Sequence, residues 1–365
     1  MNRRADLTQK GFSIIELMIA IVLGALVVAG LVNVLIANRQ AYHLQEANNY
    51  NQQNMRFAMD RIGWSLRMAD FWGGIVPGAI TGTPTVTGGA GCTSAWVLAV
   101  NYGIYGYDGN TTTTGFPLSG CVPNANYVAG SDVLVVRYVG PDAVPQGAAL
   151  SAAKIYLRVQ TGRRGELFAG ASPPTDLPQS VSPDTGTSTY PYSLEMYYLR
   201  PCSDLGTAST CSAASDGGNP IPTLMRLRLQ DDGTLINEPV VEGVEQLQFE
   251  YGVGTPPGNP TPIVYKTADA MAAADWANVV SVRIGYVLRA QTRDTALAHA
   301  FNSNATGSPI RLSANCQYTI SATGAVTYST CPNFTGANDP VSGKPQQFTR
   351  TQMVSVVQVR NRTRL

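Results

Sequence analysis

Charged side chains and histidine are scarce in this sequence. Of its 365 residues, 13% are Asp, Glu, Lys or Arg, and two are His, at positions 43 and 299. The 25 basic and 24 acidic residues leave a net charge of +1, which argues against a protein that binds nucleic acid or acidic surfaces through its overall field. Two histidines in so long a chain also make a Ser-His-Asp or Cys-His catalytic set hard to assemble.

Motifs for catalysis and for metal binding are missing as well. The sequence has no HExxH, no GxSxG and no CxxC, and Gly343-Lys344 is followed by Pro345 where a phosphate-binding loop needs Ser or Thr. Asp and Glu are scattered through loop-like stretches, and nothing marks a catalytic pair. We therefore predict a protein that is not an enzyme and that holds no metal and no cofactor.

One long hydrophobic run stands out against this polar background. Residues 17–37 contain one polar side chain, Asn33, and no charge. Twenty-one helical residues span about 31 Å, the thickness of the hydrocarbon core of a bilayer. Arg3, Arg4 and Lys10 precede the run and place the N-terminus in the cytoplasm. The run is longer than a signal-peptide core and no clear cleavage site follows it, so we expect it to stay on the protein.

A carboxylate, Glu16, lies at the start of this run, where it costs a few kcal/mol unless it is protonated or paired. It could lie at a helix end within reach of lipid headgroups. The segment Lys10-Gly11-Phe12-Ser13-Ile14-Ile15-Glu16, however, resembles the start of a type IV prepilin or pseudopilin. The resemblance implies that a prepilin peptidase removes residues 1–11 by cutting between Gly11 and Phe12 and N-methylates Phe12. It also implies that Glu16 pairs with the terminal amine of a neighbouring subunit during assembly.

A single long helix is predicted from Phe12 to about Met68. The first proline after Phe12 is Pro77, and apolar residues at 55, 58, 62 and 66 keep a helical spacing beyond the hydrophobic run. We divide the chain into a leader (1–11), a transmembrane half of the helix (12–38), an amphipathic half (39–70) and a globular head (71–365).

The head is predicted to be rich in antiparallel β-strands, each with one face toward solvent. Asp232-Gly233 is expected to form a hairpin turn. The fold class is therefore α+β, with a long N-terminal helix packed on a β-rich head. The predicted strands cover residues 132–139, 154–159, 193–199, 224–230, 244–253, 279–290 and 353–362.

The order of the later segments carries a second resemblance. LMRLRLQDDG, then VVEGVEQLQFEYGV, then WANVVSVRIGYVLRA and a closing FTRTQMVSVVQVRNR are similar to the PilW group of minor pilins. This implies a pilin-like fold and a protein of the inner membrane that moves to the pilus tip or cell surface. Its role would be to prime pilus assembly and cap the tip, with effects on adhesion and twitching motility. Its partners would be other minor pilins and the major pilin, through the helix, and a large tip adhesin.

Two alternatives remain open at this point. A minor pseudopilin at the tip of a type II secretion pseudopilus shares the leader and the helix. A membrane-tethered periplasmic enzyme or binding module with an uncleaved N-terminus would merely imitate the leader. Residues 75–220 carry no signature that we associate with either family.

Six cysteines follow the hydrophobic run, in stretches rich in Gly, Ser, Thr and Asn. Outside the membrane disulfides are expected, and six cysteines allow fifteen pairings. We predict three local bridges: Cys92–Cys121, Cys202–Cys211 and Cys316–Cys331. Each of these pairs encloses a loop-rich stretch with no strong core strand.

Arginines gather at the C-terminus, at positions 350, 360, 362 and 364, and Arg163-Arg164 falls in a predicted turn. Phosphate binding would need such residues clustered with aromatic side chains. We interpret the C-terminal arginines as a solvated strand end and do not expect nucleic acid as a partner.

Overall fold

The computed structural model describes residues 13–86, 92–109, 121–179, 186–254, 264–291, 310–313, 316–320, 326–329, 348 and 350–362. Helix α1 (Ile14–Met68) is 55 residues long, which confirms the predicted helix; Phe12 lies outside the described residues. The chain divides into two compact units, and the boundary between them lies within this helix, between Asn49 and Tyr50. The predicted domain limits at residues 38 and 70 stay predictions.

In the second unit, α1 buries one stripe of side chains. Met55, Ala58, Ile62 and Leu66 are 0–6% exposed and recur at steps of three and four, the spacing of one helix face. These are the residues whose pattern predicted an amphipathic half of the helix.

The larger sheet has eight strands and branches at its longest strand, β6. The N-terminal part of β6 pairs with β4, and its C-terminal part lies between β3 and β7. The order is β1-β5-β4-β6-β3-β2, with β7 beside β6 and β8 beside β7. The strands are β1 (Ile80–Thr81), β2 (Ile104–Tyr107), β3 (Val133–Val139), β4 (Ile155–Gln160), β5 (Arg164–Ala169), β6 (Thr187–Arg200), β7 (Thr223–Leu229) and β8 (Leu235–Glu242).

Two smaller sheets follow in the chain. An antiparallel sheet has the order β10-β9-β11-β15, and a three-stranded one has the order β12-β13-β14. Gly285 of β11 lets the backbone of β12 approach, because a Cβ there would lie 2.4 Å from the carbonyl oxygen of Leu312. The strands are β9 (Val244–Val253), β10 (Val264–Lys266), β11 (Val279–Arg289), β12 (Ile310–Ser313), β13 (Cys316–Ile320), β14 (Val326–Ser329) and β15 (Arg350–Gln358).

Short helical segments connect these strands. Helix α2 (Ser94–Val97) is one turn long, and the segment Ser215–Gly218 is a turn in which Asp216 and Gly217 have positive φ. Single 3-10 turns lie at Pro77–Ala79, Asn124–Asn126, Ala268–Ala270, Asp275–Asn278 and Arg360–Arg362.

A hydrophobic core lies on each face of the larger sheet. Leu134 and Val136 of β3 join the core that contains the buried stripe of α1, and Val133 and Val135 join the core that contains Trp72. Alternate residues of one strand therefore serve two cores.

All seven predicted segments contain a strand, but the last one, predicted to run to residue 362, ends at Gln358 and is followed by a 3-10 turn. β7 and β8 form the predicted hairpin, with Gly233 at φ 78° in its turn.

The prediction that each strand has one solvent face is wrong for β3 and β9, whose residues are all buried. It is also wrong for β11, in which every residue except Arg283 is buried. The reason for β3 is that it lies between two cores. On β9 the polar face is covered too, where Gln248 bonds to Gly130 and to Ser313 of β12.

The C-terminal end of α1 is capped by a distant part of the chain. The side-chain amide of Asn361 donates to the carbonyl oxygens of Met68 and Ala69, at 3.2 and 2.9 Å. Asp70 follows in the left-handed region, at φ 62°, and its Oδ2 lies 2.7 Å from Nε of Arg362. Asn361 thus satisfies carbonyls that a helix end leaves without intrahelical partners.

Replacing Asn361 with Ala should destabilise the head by about 1–2 kcal/mol, because the carbonyl oxygens at the end of α1 lose a side-chain donor, although that of Met68 still accepts from the N–H of Phe71. Thermal unfolding of the full chain in detergent should show a melting temperature lower by about 2–4 °C. The matched control is Gln358→Ala, at an exposed position on β15. Equal melting temperatures for the two variants would contradict the capping role.

Candidate assembly interface

The first unit presents hydrophobic side chains without protein cover. The large hydrophobic residues from Ile14 to Ile36 are 47–80% exposed. By length and composition α1 can cross a membrane, and none of its most apolar stretch of 18 residues is buried. Such a surface needs lipid or the helices of other subunits around it.

Glu16 caps the start of α1 within its own chain. Its Oε2 accepts a hydrogen bond from the backbone N–H of Ser13 at 3.0 Å, and Oγ of Ser13 accepts from the N–H of Ile15 at 3.3 Å. This is a capping box, a Ser and a Glu three residues apart that satisfy the free amides of a helix start. This role was not predicted from the sequence, although the Ser-x-x-Glu spacing signals it.

Gly11 and Phe12 lie outside the described residues, so cleavage between them and methylation of Phe12 stay predictions. The pairing of Glu16 with a neighbouring amine is likewise a prediction. In the single chain, the carboxylate of Glu16 accepts from the backbone amide of Ser13. Ser13 is the residue directly after Phe12, the predicted new N-terminus.

A group of polar side chains joins α1 to the larger sheet; we name it the helix clamp. It consists of Arg61 and Ser65 on α1, Glu195 and Tyr197 on β6, and Arg226 on β7. One carboxylate oxygen of Glu195 lies 2.6 Å from Nη2 of Arg61 and 3.1 Å from Nη1 of Arg226. The other oxygen accepts from the hydroxyls of Ser65 and, at 2.9 Å, Tyr197.

Burial keeps the hydroxyl of Tyr197 protonated within the clamp. Burial and then the charge of Glu195 raise the pKa of Tyr197, so its hydroxyl remains a donor at neutral pH. Glu195 has a side chain that is 6% exposed, and it meets two guanidinium groups. A buried charge is tolerated when it is paired and hydrogen-bonded in this way.

Two cystine bridges join pairs of described residues in the head. The structure joins Cys92 to Cys121 and Cys202 to Cys211, with Cα–Cα distances of 5.2 and 5.7 Å. These are two of the three predicted pairs. Cys331 lies outside the described residues, so the pair Cys316–Cys331 stays a prediction.

The interpretation of the C-terminal arginines as a solvated strand end is wrong for two of them, Arg350 and Arg362. Arg350 and Glu245 form an ion pair at 2.6 Å in which both side chains are 2% exposed. Arg362 pairs with Asp70 and also donates to the carbonyl oxygen of Trp276. These cations bind within the fold, so they do not offer a phosphate-binding patch. Arg364 lies outside the described residues.

The described part of the chain has no group of three His, Cys, Asp or Glu side chains that could hold a metal ion. His43 is exposed on α1, and His299 is not among the described residues. The described residues thus comprise an exposed apolar stretch of α1 in the first unit and a folded head in the second.

Two family models match parts of this sequence. Residues 210–361 match the family of type IV pilus-assembly protein W, and residues 7–32 match the prokaryotic N-terminal methylation motif. A comparison with curated protein sequences found no match. Among solved structures, a type IV-like pilin from Thermus thermophilus matches with a TM-score of 0.27 and 12% identity, over 66% of this chain and 82% of that one.

One substitution in the helix clamp should lower the stability of the head substantially. Glu195→Gln leaves two arginines without their carboxylate and should destabilise the head by about 2–3 kcal/mol. This is less than for a fully buried pair because the side chain of Arg61 is 31% exposed. Thermal unfolding of the full chain in detergent measures it, with Glu46→Gln on the exposed part of α1 as the control. A variant as stable as the control would contradict the account of the clamp.

Proposed function

Because the chain is a PilW-type type IV pilin by its two matched regions, we propose that it is a minor pilin that primes assembly of a type IV pilus and caps its tip. Before processing, the methylation motif and the apolar helix anchor the protein in the inner membrane, with its head in the periplasm. After a prepilin peptidase cuts between Gly11 and Phe12, the helix packs with other pilin helices.

The observation that carries this proposal is the exposed apolar surface of α1. Side chains that are 47–80% exposed from Ile14 to Ile36 suit lipid before assembly and neighbouring helices after it. Glu16 is the one charged side chain in that stretch, so a partner amine would find a single acceptor there. The amine of a processed Phe12 on an adjacent subunit has the opposite, positive charge.

The size of the head supports a place at the tip. Residues 71–365 would crowd a shaft built from smaller heads, whereas an end position imposes no such limit. We propose that other minor pilins lie beside it, that the major pilin lies below it, and that a large adhesin is carried at the tip. Adhesion and twitching motility would then depend on it through the number of pili that are primed.

The two alternatives have less support. A type II secretion pseudopilin would have the same leader and helix, but the matched family is one of type IV pilus assembly. A membrane-tethered enzyme would need a catalytic set, and proteins of the matched family act in assembly rather than catalysis. We therefore place the protein in the pilus system.

Location along the filament tests the proposal. Immunogold labelling of sheared pili should show the protein at one end of each filament, and deletion of its gene should lower the number of surface pili. Labelling spread evenly along the shaft would contradict a tip role. Normal piliation in the deletion strain would contradict a role in priming.

Glu16→Ala should leave processing intact and remove the protein from sheared pili, because the terminal amine of the neighbour loses its partner. Quantitative immunoblots of membranes and of pili measure this, normalised to the mature protein. Glu46→Gln is the matched control, a charge removed further along the same exposed helix. Incorporation of the Glu16→Ala protein at the level of the control would contradict the pairing.

A further inference from the structure

The last strand of the four-stranded sheet, β15, is paired along one edge alone within the described part of the chain. It pairs with β11 over its whole length, and the order β10-β9-β11-β15 places it at the end of the sheet. This pairing has no register shift from Arg350 to Gln358. A regular edge strand of nine residues therefore borders the sheet.

The backbone groups on the outer edge of β15 follow from one hydrogen bond. The N–H of Val359 donates to the carbonyl oxygen of Val280 at 2.9 Å, in continuation of the register between β15 and β11. Along an antiparallel pair, residues whose N–H and C=O point to the partner alternate with residues whose groups point away. The N–H and C=O groups that point away from β11 are therefore those of residues 352, 354, 356 and 358.

One face of β15 presents apolar side chains without protein cover. Val354 is 45% exposed and Val356 is 53% exposed. Val357, on the opposite face, is 6% exposed and belongs to the core that contains the buried stripe of α1. Residues 351–358 carry no charge, no proline and no glycine. The outer edge thus offers unpaired backbone groups and an apolar surface to an added strand.

Other edge strands of the head have features that block such an addition. β1 and β10 are two and three residues long. β8 contains Glu238 and Pro239, and its pairing with β7 has a register shift. Short length, charge, proline and irregular pairing are the usual protections of a sheet edge. Residues 351–358 of β15 have none of them, which marks this edge as a place where another strand pairs.

The adjoining stretch of α1 runs along β15 in the same direction. Nδ2 of Asn51 donates to Oγ1 of Thr351 at 3.3 Å, near the start of β15, and Nδ2 of Asn361, after its end, donates to the carbonyl oxygen of Met68. A second copy that paired with β15 in the antiparallel sense would hold its own stretch of α1 in the opposite direction. Chains anchored in one membrane by the same helix hold it in the same direction. The occupant is therefore a different polypeptide, a choice that rests on the proposed function.

We propose that the outer edge of β15 accepts a strand of a different polypeptide, and that this added strand is uncharged and rich in β-branched residues. The outward N–H and C=O groups of β15 bind its backbone, and alternate side chains of the added strand cover Val354 and Val356. The strand is uncharged because a charge opposite the two valines would lose its water without gaining a partner. The head then contributes a contact of its own, besides those of the helix.

Binding of a fluorescent synthetic peptide, KTVTVTVTK, to the full chain in detergent tests the proposal. Val356→Lys places on this edge the charge that natural edges use for protection, and it should weaken binding about tenfold or more, as measured by fluorescence anisotropy. Val356→Thr keeps a β-branched, uncharged side chain and should bind within about twofold of the wild type. Ile236→Lys adds the same charge to β8, at a position that is 36% exposed, and should also bind like the wild type.

Hydrogen exchange at single amides identifies the edge that the peptide occupies. In the free protein, the amides of Val354 and Val356 should exchange faster than that of Ser355, which points to β11. Saturating peptide should slow exchange at Val354 and Val356 and leave Ser355 unchanged. Circular dichroism of each variant checks that the head is folded.

No binding of the peptide by the wild type, or equal affinity for the wild type and Val356→Lys, would overturn the proposal. Bound peptide that leaves exchange at Val354 and Val356 unchanged would overturn it too. A wild-type dimer in detergent that Val356→Lys dissociates would show that a second copy occupies the edge, against a different polypeptide. These measurements do not depend on where the protein lies in the pilus, so failure of this proposal and failure of the proposed function are distinguishable.

Discussion

The ion pairs of Glu195 decide how the helix is held to the head. One carboxylate on β6 meets an arginine from α1 and another from β7, and its other oxygen accepts from two hydroxyls. A carboxylate in this position has one low-energy arrangement, because moving the helix by one turn would leave buried charges without partners. Hydrophobic contacts of Met55, Ala58, Ile62 and Leu66 supply the burial, and Glu195 specifies the register.

Polar contacts join distant parts of the head at two further places. Asn361 and Arg362 bring the C-terminal part of the chain onto the end of α1, and Asp132 bonds the larger sheet to β9. Only 13% of the residues are charged, and several of those side chains are buried in such contacts. The scarcity of charge therefore does not mean that the fold depends on hydrophobic packing alone. The few charges are used to set the relative positions of elements.

Local patterns were enough to predict the helix and the main strands. The absence of proline before Pro77 and the spacing of apolar residues indicated α1, and alternation with turn residues indicated β7 and β8. The capping box of Ser13 and Glu16 was equally readable, because it depends on two residues three apart. Short strands such as β1 and β10 have two or three residues, too few for any periodicity.

Contacts between distant parts of the chain could not be predicted in this way. Arg61 and Glu195 are 134 residues apart, and Asn361 and Ala69 are 292 apart. In the sequence Arg350 and Arg362 look like any charged residues near a strand, and only the fold brings Glu245 and Asp70 to them. The wet face expected for β3 failed for the same reason, since nothing local reveals a second core.

The central claim is that α1 becomes an assembly helix by removal of the residues before Phe12. Mass analysis of the N-terminal peptide of the membrane-extracted protein tests it most directly, in cells with and without the prepilin peptidase. The account predicts a chain that begins at N-methylated Phe12 when the peptidase is present and at Met1 when it is absent. A chain that begins at Met1 in both would contradict it and leave a tethered head with an uncut anchor.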